Sequence, residues 1–210
     1  MQSVKLGRRA TIGLAVLAGL GPVTALPVQA DQSVIEPIKR LNDALVQIMR
    51  QGRSAPFNTR FQTLAPVIDQ TFDIQAVLEA SVGPTWPTLP ADQQAALTDA
   101  FRRYTIASYV NSFDTYSGQR FDVNSSPRSL PNGEQIVDTR ITSQSGTSHA
   151  LDYVMRNVGG NWRVVDVLAD GSISRVAVQR SDFRRLLSRG GPSALVESLK
   201  NKSANLSEAV

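Results

Sequence analysis

The chain has no cysteine and only one histidine, His149, among its 210 residues. The absence of cysteine excludes disulfides and thiolate chemistry, so the stability of the fold must come from an apolar core. One histidine leaves a catalytic triad with at most one candidate base, and no serine lies in a Gly-x-Ser-x-Gly turn. His149 begins a predicted strand beside a Ser/Gly-rich turn, where a solvated side chain is the usual case. Scattered carboxylates with one histidine also form no recognisable metal ligand set. The sequence therefore predicts no catalytic residue and no metal site.

The N-terminus lacks an apolar run long enough to span a membrane. Residues 10–20 are mostly apolar, but this run is interrupted by glycine and is far short of the roughly 20 residues that a spanning helix needs. Lys5, Arg8 and Arg9 precede it, and Val28-Gln29-Ala30 fits the small-x-small pattern of a cleavage site. We therefore expect residues 1–30 to be a signal peptide, cleaved after Ala30, and the mature protein to work in a bacterial periplasm.

The body of the chain has no broad excess of charge of one sign. The predicted signal contains three of the 22 Lys and Arg residues and none of the 18 Asp and Glu residues, which leaves 19 against 18. A nearly neutral body lacks the basic surface that phosphate recognition requires, so we expect no nucleic acid partner. A local basic excess remains near the C-terminus, between Arg175 and Lys202. It is interpreted as a solvated helix face, with a lipid-headgroup or partner surface as the alternative.

Helical periodicity is clear in the first half of the chain and again at its end. Apolar residues recur at three- and four-residue steps over residues 33–51 and 57–69, with Pro66 expected to kink or break the second helix. Asp73 is a good N-cap for a short helix that ends at Gly83-Pro84. Further helices are predicted over residues 92–116, 182–189 and 192–200, the last two separated by Gly190-Gly191.

The period changes from helical to alternating after Gly118. Strands are predicted over residues 120–123, 135–143, 148–158, 161–169 and 173–178. The Val158-Gly159-Gly160-Asn161 turn indicates a two-residue hairpin loop, which places Met155 opposite Val164, Tyr153 opposite Asp166 and Leu151 opposite Leu168. The register of the preceding hairpin stays open, because Gln144-Ser145-Gly146-Thr147 permits more than one loop length.

Together these elements predict an α+β fold, in which helices pack on one side of a curved antiparallel sheet, an NTF2-like cone, with an additional helical portion. Such a cone can enclose an apolar cavity. Asp166 would then be a carboxylate on an otherwise apolar face, which leaves two interpretations open. It is either a general acid or base, or a structural group hydrogen-bonded to the Tyr153 hydroxyl or to backbone groups.

Two long stretches carry a family resemblance. Trp162 to Val167, Asp170 to Ser174, Arg180 to Phe183 and Gly190 to Leu195 resemble the C-terminal signature of the MlaC or toluene-tolerance family of periplasmic phospholipid-binding proteins. Phe72-Asp73, Gly83 to Trp86, Leu89, Gln93-Gln94, Phe101 and Tyr104 resemble the central helical block of that family. The run from Tyr109 to Val123 looks nearer to its hopanoid-associated, HpnM-like branch.

The resemblance implies a lipid carrier that is not an enzyme and has no cofactor besides its bound cargo. Residues 31–203 would form the lipid-binding domain and residues 204–210 a flexible tail. The monomeric carrier would shuttle a phospholipid or a hopanoid between an inner-membrane ABC transporter with an MCE-type subunit and an outer-membrane lipoprotein–porin complex. Exposing an acyl chain of ~16 carbons to water costs on the order of 12 kcal/mol, so a lipid needs such a carrier.

We expect the acyl chains to lie between one face of the helix over residues 92–116 and the facing strands. The predicted lipid-binding residues are Tyr109, Phe113, Val137, Ile141, Leu151, Tyr153, Met155 and Val164. Two other classes of function remain open at this point. One is a small-molecule enzyme of the NTF2-like type that uses Asp166 or His149, and the other is a cargo-free adaptor of the transporter.

Overall fold

The structure is a computed structural model that describes the backbone of residues 27–208 and the side chains of residues 34–208. The predicted signal sequence before residue 27 lies outside the described residues, and its cleavage after Ala30 stays a prediction. The helices are α1 (Pro27–Gln51), α2 (Phe57–Thr71), α3 (Ile74–Val82), α4 (Ala91–Ser112) and α5 (Arg175–Glu208). The strands are β1 (Arg120–Val123), β2 (Arg128–Ser129), β3 (Gln135–Val137), β4 (Thr139–Thr142), β5 (Ser148–Val158), β6 (Asn161–Ala169) and β7 (Ile173–Ser174).

Helix α1 supplies the central layer of the main core. Its apolar residues recur at helical spacing, and Ile38, Leu41 and Leu45 are completely buried against α2, α4 and the sheet. Helix α2 is continuous through Pro66, so the expected break there is wrong. Asp73 does cap α3, because its Oδ1 accepts a hydrogen bond of 3.0 Å from the backbone N–H of Ala76.

The strands form one curled antiparallel sheet that the helices cover on one side, so the predicted α+β fold class is confirmed. β3 and β4 lie end to end and both pair with β5 in one register, in which Val137 faces Tyr153 and Ile141 faces His149. β1 pairs with the free edge of β4, and β2 pairs with the free edge of β3. β6 pairs with the opposite edge of β5, and β7 pairs with β6.

The hairpin of β5 and β6 follows the expected register only near its turn. Met155 faces Val164 as predicted, but beyond this pair the register shifts by one residue. Tyr153 therefore faces Val167, Leu151 faces Ala169, and Asp166 lies opposite Val154. The predicted Tyr153–Asp166 and Leu151–Leu168 pairs are wrong because a β-bulge inserts one extra residue into β6, which a turn signal cannot reveal.

The C-terminal third of the chain is more helical than predicted. The expected strand over residues 173–178 is only Ile173–Ser174, because α5 begins at Arg175. α5 is interrupted at Gly191, whose φ of 67° and ψ of −165° are not helical, so the predicted separation of two helices is confirmed. The helix then continues to Glu208. That residues 204–210 form a flexible tail stays a prediction. Among the described helices, none is long and apolar enough to cross a membrane.

A second core lies where α5 packs back on α3 and α4. Phe183, Leu195 and Leu199 of α5 are buried against Leu97 and Phe101 of α4. The rings of Phe101 and Phe183 meet edge to face, with centroids 6.1 Å apart. This contact holds the start of α5 beside the open end of the sheet, and so determines one wall of the cavity described below.

Candidate functional site

A cavity of about 350 Å³ lies between α4, the sheet and the start of α5. Its volume is at the lower end of the range of about 300–1,000 Å³ that is typical of ligand pockets. Most of its walls are apolar. The apolar and aromatic lining residues are Phe72, Ile74, Val77, Phe101, Tyr104, Tyr109, Phe113, Ile141, Ala150, Leu151, Val167, Ala169 and Val176.

An unbroken row of aromatic rings forms the α4 side of this region. Tyr109 and Phe113 are one helical turn apart, and their rings stack with centroids 5.9 Å apart. Phe72 meets Tyr109 edge to face at 5.6 Å, and Phe121 of β1 lies 6.0 Å from Phe113. Interlocked rings lose little further freedom when an apolar ligand contacts them, so this row is a preorganised wall.

Phe72 reaches the cavity because the link between α2 and α3 is tied to the sheet. The backbone N–H of Asp73 donates to the carbonyl of Val164 at 2.9 Å, and Phe72 forms a bridge with the same strand residue. The guanidinium of Arg163 donates to the carbonyl of Asp69 at 2.8 Å, which holds the end of α2 against β6. These contacts hold one side of the cavity in place.

Four of the eight predicted lipid-binding residues line the cavity and four do not. Tyr109, Phe113, Ile141 and Leu151 contribute to its walls. The other four form part of the packed core, where α1 and α2 cover them, and their exposed fractions are 0–1%. They are Val137, Tyr153, Met155 and Val164.

The sequence-based prediction missed the contribution of α3 and α5 to the cavity. Ile74 and Val77 of α3 line it from one side, and Val176 and Gln179 of α5 from the other. Hydrophobic periodicity marked Ile74 and Val77 as one face of a helix, but it carried no information about which partner that face meets. Arg175 and Val176 were placed in a strand, so their position at the start of a helix could not be anticipated.

Three residues with ionisable side chains lie at the solvent-exposed edge of the cavity. His149, Asp170 and Arg175 are exposed, and together they form a charged rim. Nδ1 of His149 lies 4.0 Å from Oδ1 of Asp170, and both side chains are 70% exposed. The remaining polar lining residues are Thr105, Ser108, Ser112, Asp166 and Gln179.

Two tyrosines have raised pKa values. Tyr109 lines the cavity, whereas Tyr153 belongs to the packed core. Burial raises the pKa of both phenols well above the ordinary tyrosine value. Both phenols are therefore neutral over the whole physiological range, and Tyr109 gives the cavity wall a polar group without charge.

Asp166 has a structural role at the start of α5. Its Oδ1 accepts hydrogen bonds from the backbone N–H groups of Val167 at 2.7 Å and Val176 at 3.0 Å. Its Oδ2 accepts from the hydroxyl of Ser174, which in turn accepts from the N–H of Ala177. Of the two partners expected for a structural Asp166, the backbone groups are confirmed. The Tyr153 hydroxyl is not a partner, because the bulge moves Asp166 out of register with Tyr153. The carboxylate acts as the cap of a helix and holds one edge of the cavity.

Within residues 34–208, no cluster of three or more His, Asp or Glu side chains could bind a metal ion. The arrangement is thus an apolar pocket with aromatic walls and a charged rim. This combination suits a ligand with an extended apolar part and a polar end, because the rim can remain hydrated while the walls cover the apolar part.

Comparisons with known proteins agree with this description. The chain is 24% identical over 184 residues to the toluene tolerance protein ttg2D of Pseudomonas putida, and the match covers 85% of this chain and 83% of that protein. Its fold is similar to that of the phospholipid-binding protein of Ralstonia solanacearum, solved in complex with a phospholipid. The TM-score is 0.72 at 22% identity, and the match covers 83% of this chain and 98% of the solved one. The model of the MlaC protein family matches residues 39–201. Since this match includes most of the described helices and the whole sheet, the chain belongs to the MlaC family.

Proposed function

We propose that this protein is a periplasmic carrier that binds the acyl part of a phospholipid in the cavity between α4, the sheet and α5. The observation that carries the proposal is the division of the cavity into aromatic and aliphatic walls and a charged, exposed rim. The similarity to a protein solved with a phospholipid supports the choice of ligand. Membership of the MlaC family, whose members are lipid-binding carriers, confirms that the protein is not an enzyme.

The walls provide the physical basis for carrying a lipid through water. Each methylene group buried in an apolar environment contributes about 0.8 kcal/mol, so even a partly covered acyl chain gains several kcal/mol. Aromatic side chains such as Tyr109 and Phe113 present large apolar surfaces at little entropic cost. The headgroup would lie at the rim, where Arg175 can contact a phosphate and Asp170 an ammonium group.

The size of the cavity restricts how the cargo is held. A volume of about 350 Å³ is at the lower end for ligand pockets, and a phospholipid with two chains is larger than the drug-sized ligands that such pockets enclose. We therefore expect α3 and α5 to move apart when lipid enters, or one chain to lie partly outside. The residues that bind first would be Tyr109, Phe113, Ile141 and Leu151, which already line the cavity.

The partners and the direction of transport follow from the family resemblance alone and stay proposals. An inner-membrane ABC transporter with an MCE-type subunit would exchange lipid with this carrier on one side, and an outer-membrane lipoprotein–porin complex on the other. A pocket that matches both bilayers favours neither of them, so the direction must come from these complexes. The hopanoid-associated branch also stays a prediction, and the identity of the extracted lipid decides it.

The test is to extract the protein, purified without added lipid, with organic solvent and to analyse the extract by mass spectrometry. Replacing Leu151 by Trp should fill the cavity and remove most of the lipid without unfolding the chain. Val158→Trp is the matched control, because Val158 lies on the same strand, is 41% exposed and does not line the cavity. A wild-type preparation that contains no lipid would favour the cargo-free adaptor. Full loading of a folded Leu151→Trp variant would place the binding site elsewhere.

A further inference from the structure

Two large apolar side chains are exposed to solvent beside the cavity. Ile173 of β7 is 52% exposed and Val178 of α5 is 46% exposed. Among the described residues, they are the most exposed of the large hydrophobic side chains, and they lie only five positions apart in the sequence. Isolated exposed aliphatic residues are normal, but two at the edge of a ligand cavity indicate a surface that meets something apolar.

Arginines surround these two side chains. Between Arg175 and Arg189 the chain has five arginines and one acidic residue, Asp182. Asp182 pairs with Arg185 at 3.1 Å, and Arg180 donates to the carbonyl of Ala80 at 2.8 Å. Arg175, Arg184 and Arg189 are exposed, and no carboxylate of the described residues forms an ion pair with them. Most of this positive charge is therefore available to a ligand.

The helical repeat brings the exposed residues onto one side of α5. At 100° per residue, Arg175, Arg185 and Arg189 lie within about 60° of Val178 around the helix axis. Asp182 lies on the same side, where it pairs with Arg185. The opposite side contains Val176 and Phe183, which are buried. We refer to the exposed set, Ile173, Arg175, Val178, Arg185 and Arg189, as the α5 patch.

The α5 patch meets the cavity at Arg175. This residue belongs both to the patch and to the charged rim. Val176, which lines the wall, lies on the opposite side of α5 from Val178. A surface that binds the patch would therefore contact the rim of the cavity at Arg175.

We propose that the α5 patch docks on the surface of a bilayer that contains anionic lipid, with the rim of the cavity beside the membrane at Arg175. Arginines attract the anionic headgroups, and Ile173 and Val178 enter the boundary between headgroups and acyl chains. The patch has three arginines against the single carboxylate of Asp182, and this net positive charge is complementary to an anionic lipid surface. The proposal rests on these exposed residues and does not depend on the proposed function.

The experiment measures co-sedimentation of the purified protein with two kinds of vesicle. One kind is phosphatidylcholine alone, and the other is an equal mixture of phosphatidylcholine and phosphatidylglycerol. We expect clear binding to the anionic vesicles, weak binding to the neutral ones, and a decrease with added salt. Each arginine at an anionic surface strengthens partitioning by about fivefold, so reversing Arg185 and Arg189 to Glu should weaken it by at least about 25-fold.

The matched control is the double variant Arg40→Glu with Arg140→Glu. Both residues are exposed, neither belongs to the patch, and the change in net charge is the same. The control should keep most of the binding. Equal losses in the two double variants would overturn the proposal, because they would show an effect of net charge alone. Absence of wild-type binding to anionic vesicles would also overturn it, and would assign the patch to a protein partner.

Solvent extraction of the same samples separates this proposal from the proposed function. The Arg185→Glu, Arg189→Glu variant should keep its lipid, because neither residue lines the cavity. Vesicle binding by a protein that contains no lipid would leave the docking surface standing and refute the lipid carrier. If the wild-type protein contains lipid but does not bind anionic vesicles, the lipid carrier would be supported and the docking surface refuted.

Discussion

Replacing Asp166 by Ala tests whether this carboxylate caps α5 or acts on a ligand. In the structure it accepts three hydrogen bonds, from the N–H groups of Val167 and Val176 and from the hydroxyl of Ser174. These bonds join the end of β6 to the first turn of α5. The substitution removes both acceptor oxygens, and with them all three hydrogen bonds, and leaves the donors in a half-buried site.

The cost can be worked from these contacts. Loss of a helix cap costs about 0.5–2 kcal/mol, and a further hydrogen bond in a partly buried site contributes about 1 kcal/mol. We expect Asp166→Ala to lower the free energy of unfolding by about 1.5–3 kcal/mol. Asp73→Ala is the comparison, because Asp73 caps α3 with a single side-chain hydrogen bond. That variant should lose about 1 kcal/mol.

Urea unfolding followed by circular dichroism measures both variants, and solvent extraction measures their lipid content. The dependence of the unfolding free energy on urea should be unchanged, since the fold is retained. If Asp166→Ala lowered the free energy of unfolding no more than Asp73→Ala, the three hydrogen bonds would not stabilise the start of α5. A variant of wild-type stability that had lost its lipid would point to a direct role of Asp166 in binding.

Three further outcomes can be measured by the same unfolding assay. Arg60 is completely buried, its guanidinium nitrogens have no hydrogen-bond partner within the described residues, and burial lowers its pKa. Arg60→Met should therefore raise the free energy of unfolding by about 1 kcal/mol. A loss of stability would indicate that the guanidinium of Arg60 has a stabilising polar partner. Burial raises the pKa of Asp152, so the folded state takes up its proton at a higher pH than the unfolded chain. Stability should increase as the pH falls through the folded value and level off below about 3.9, and Asp152→Asn should remove this part of the pH profile. Gly191→Ala should cost about 1–3 kcal/mol, because the positive φ of 67° at this position strains any residue with a Cβ atom; an unchanged unfolding midpoint would contradict it.

Local signals in the sequence predicted those parts of the fold that local chemistry determines. The Gly159-Gly160 turn gave the correct pairing of Met155 with Val164, because a short loop leaves little freedom to the residues beside it. Asp73 gave the correct start of α3 for a similar reason. The bulge in β6 could not be read in this way. It depends on the fit of β6 between β5 and the helices, and no turn residue marks it.

The start of α5 shows a second limit of local patterns. Ile173 to Val178 is rich in β-branched apolar residues, as a short strand is, yet the chain is helical from Arg175. The carboxylate of Asp166 accepts the N–H of Val176, ten residues later, and so helps to cap the first turn of the helix. A contact between residues that far apart overrides the local strand preference. It cannot be predicted until the fold has brought β6 and α5 together.

Four of the eight residues predicted to bind lipid line the cavity. The other four do not, because alternation of apolar and polar residues along a strand does not distinguish a cavity wall from a packed core. Alternating strand residues identify the face that turns away from water, but a packed layer and a cavity wall share this pattern. Leu151 and Tyr153 lie on the same face of β5, and only Leu151 reaches the cavity, because α1 and α2 cover the sheet from Tyr153 onward. The lengths of α1 and α2 and the position of α5 determine which part of the sheet these helices leave uncovered.

The distribution of charge around the cavity bears on how a lipid would be loaded and released. The phenol of Tyr109 in the cavity wall is neutral, since burial raises its pKa. Asp166 is engaged by the start of α5, and His149, Asp170 and Arg175 are confined to the exposed rim. Under the proposed function, an acyl chain inside would have nearly the free energy that it has in a bilayer, so binding alone supplies no direction. A membrane or a protein that binds the rim or the α5 patch can then shift the equilibrium between bound and released lipid without altering the apolar interior. Transfer would be controlled by what docks at the mouth of the cavity, while the walls determine only that the cargo is a lipid.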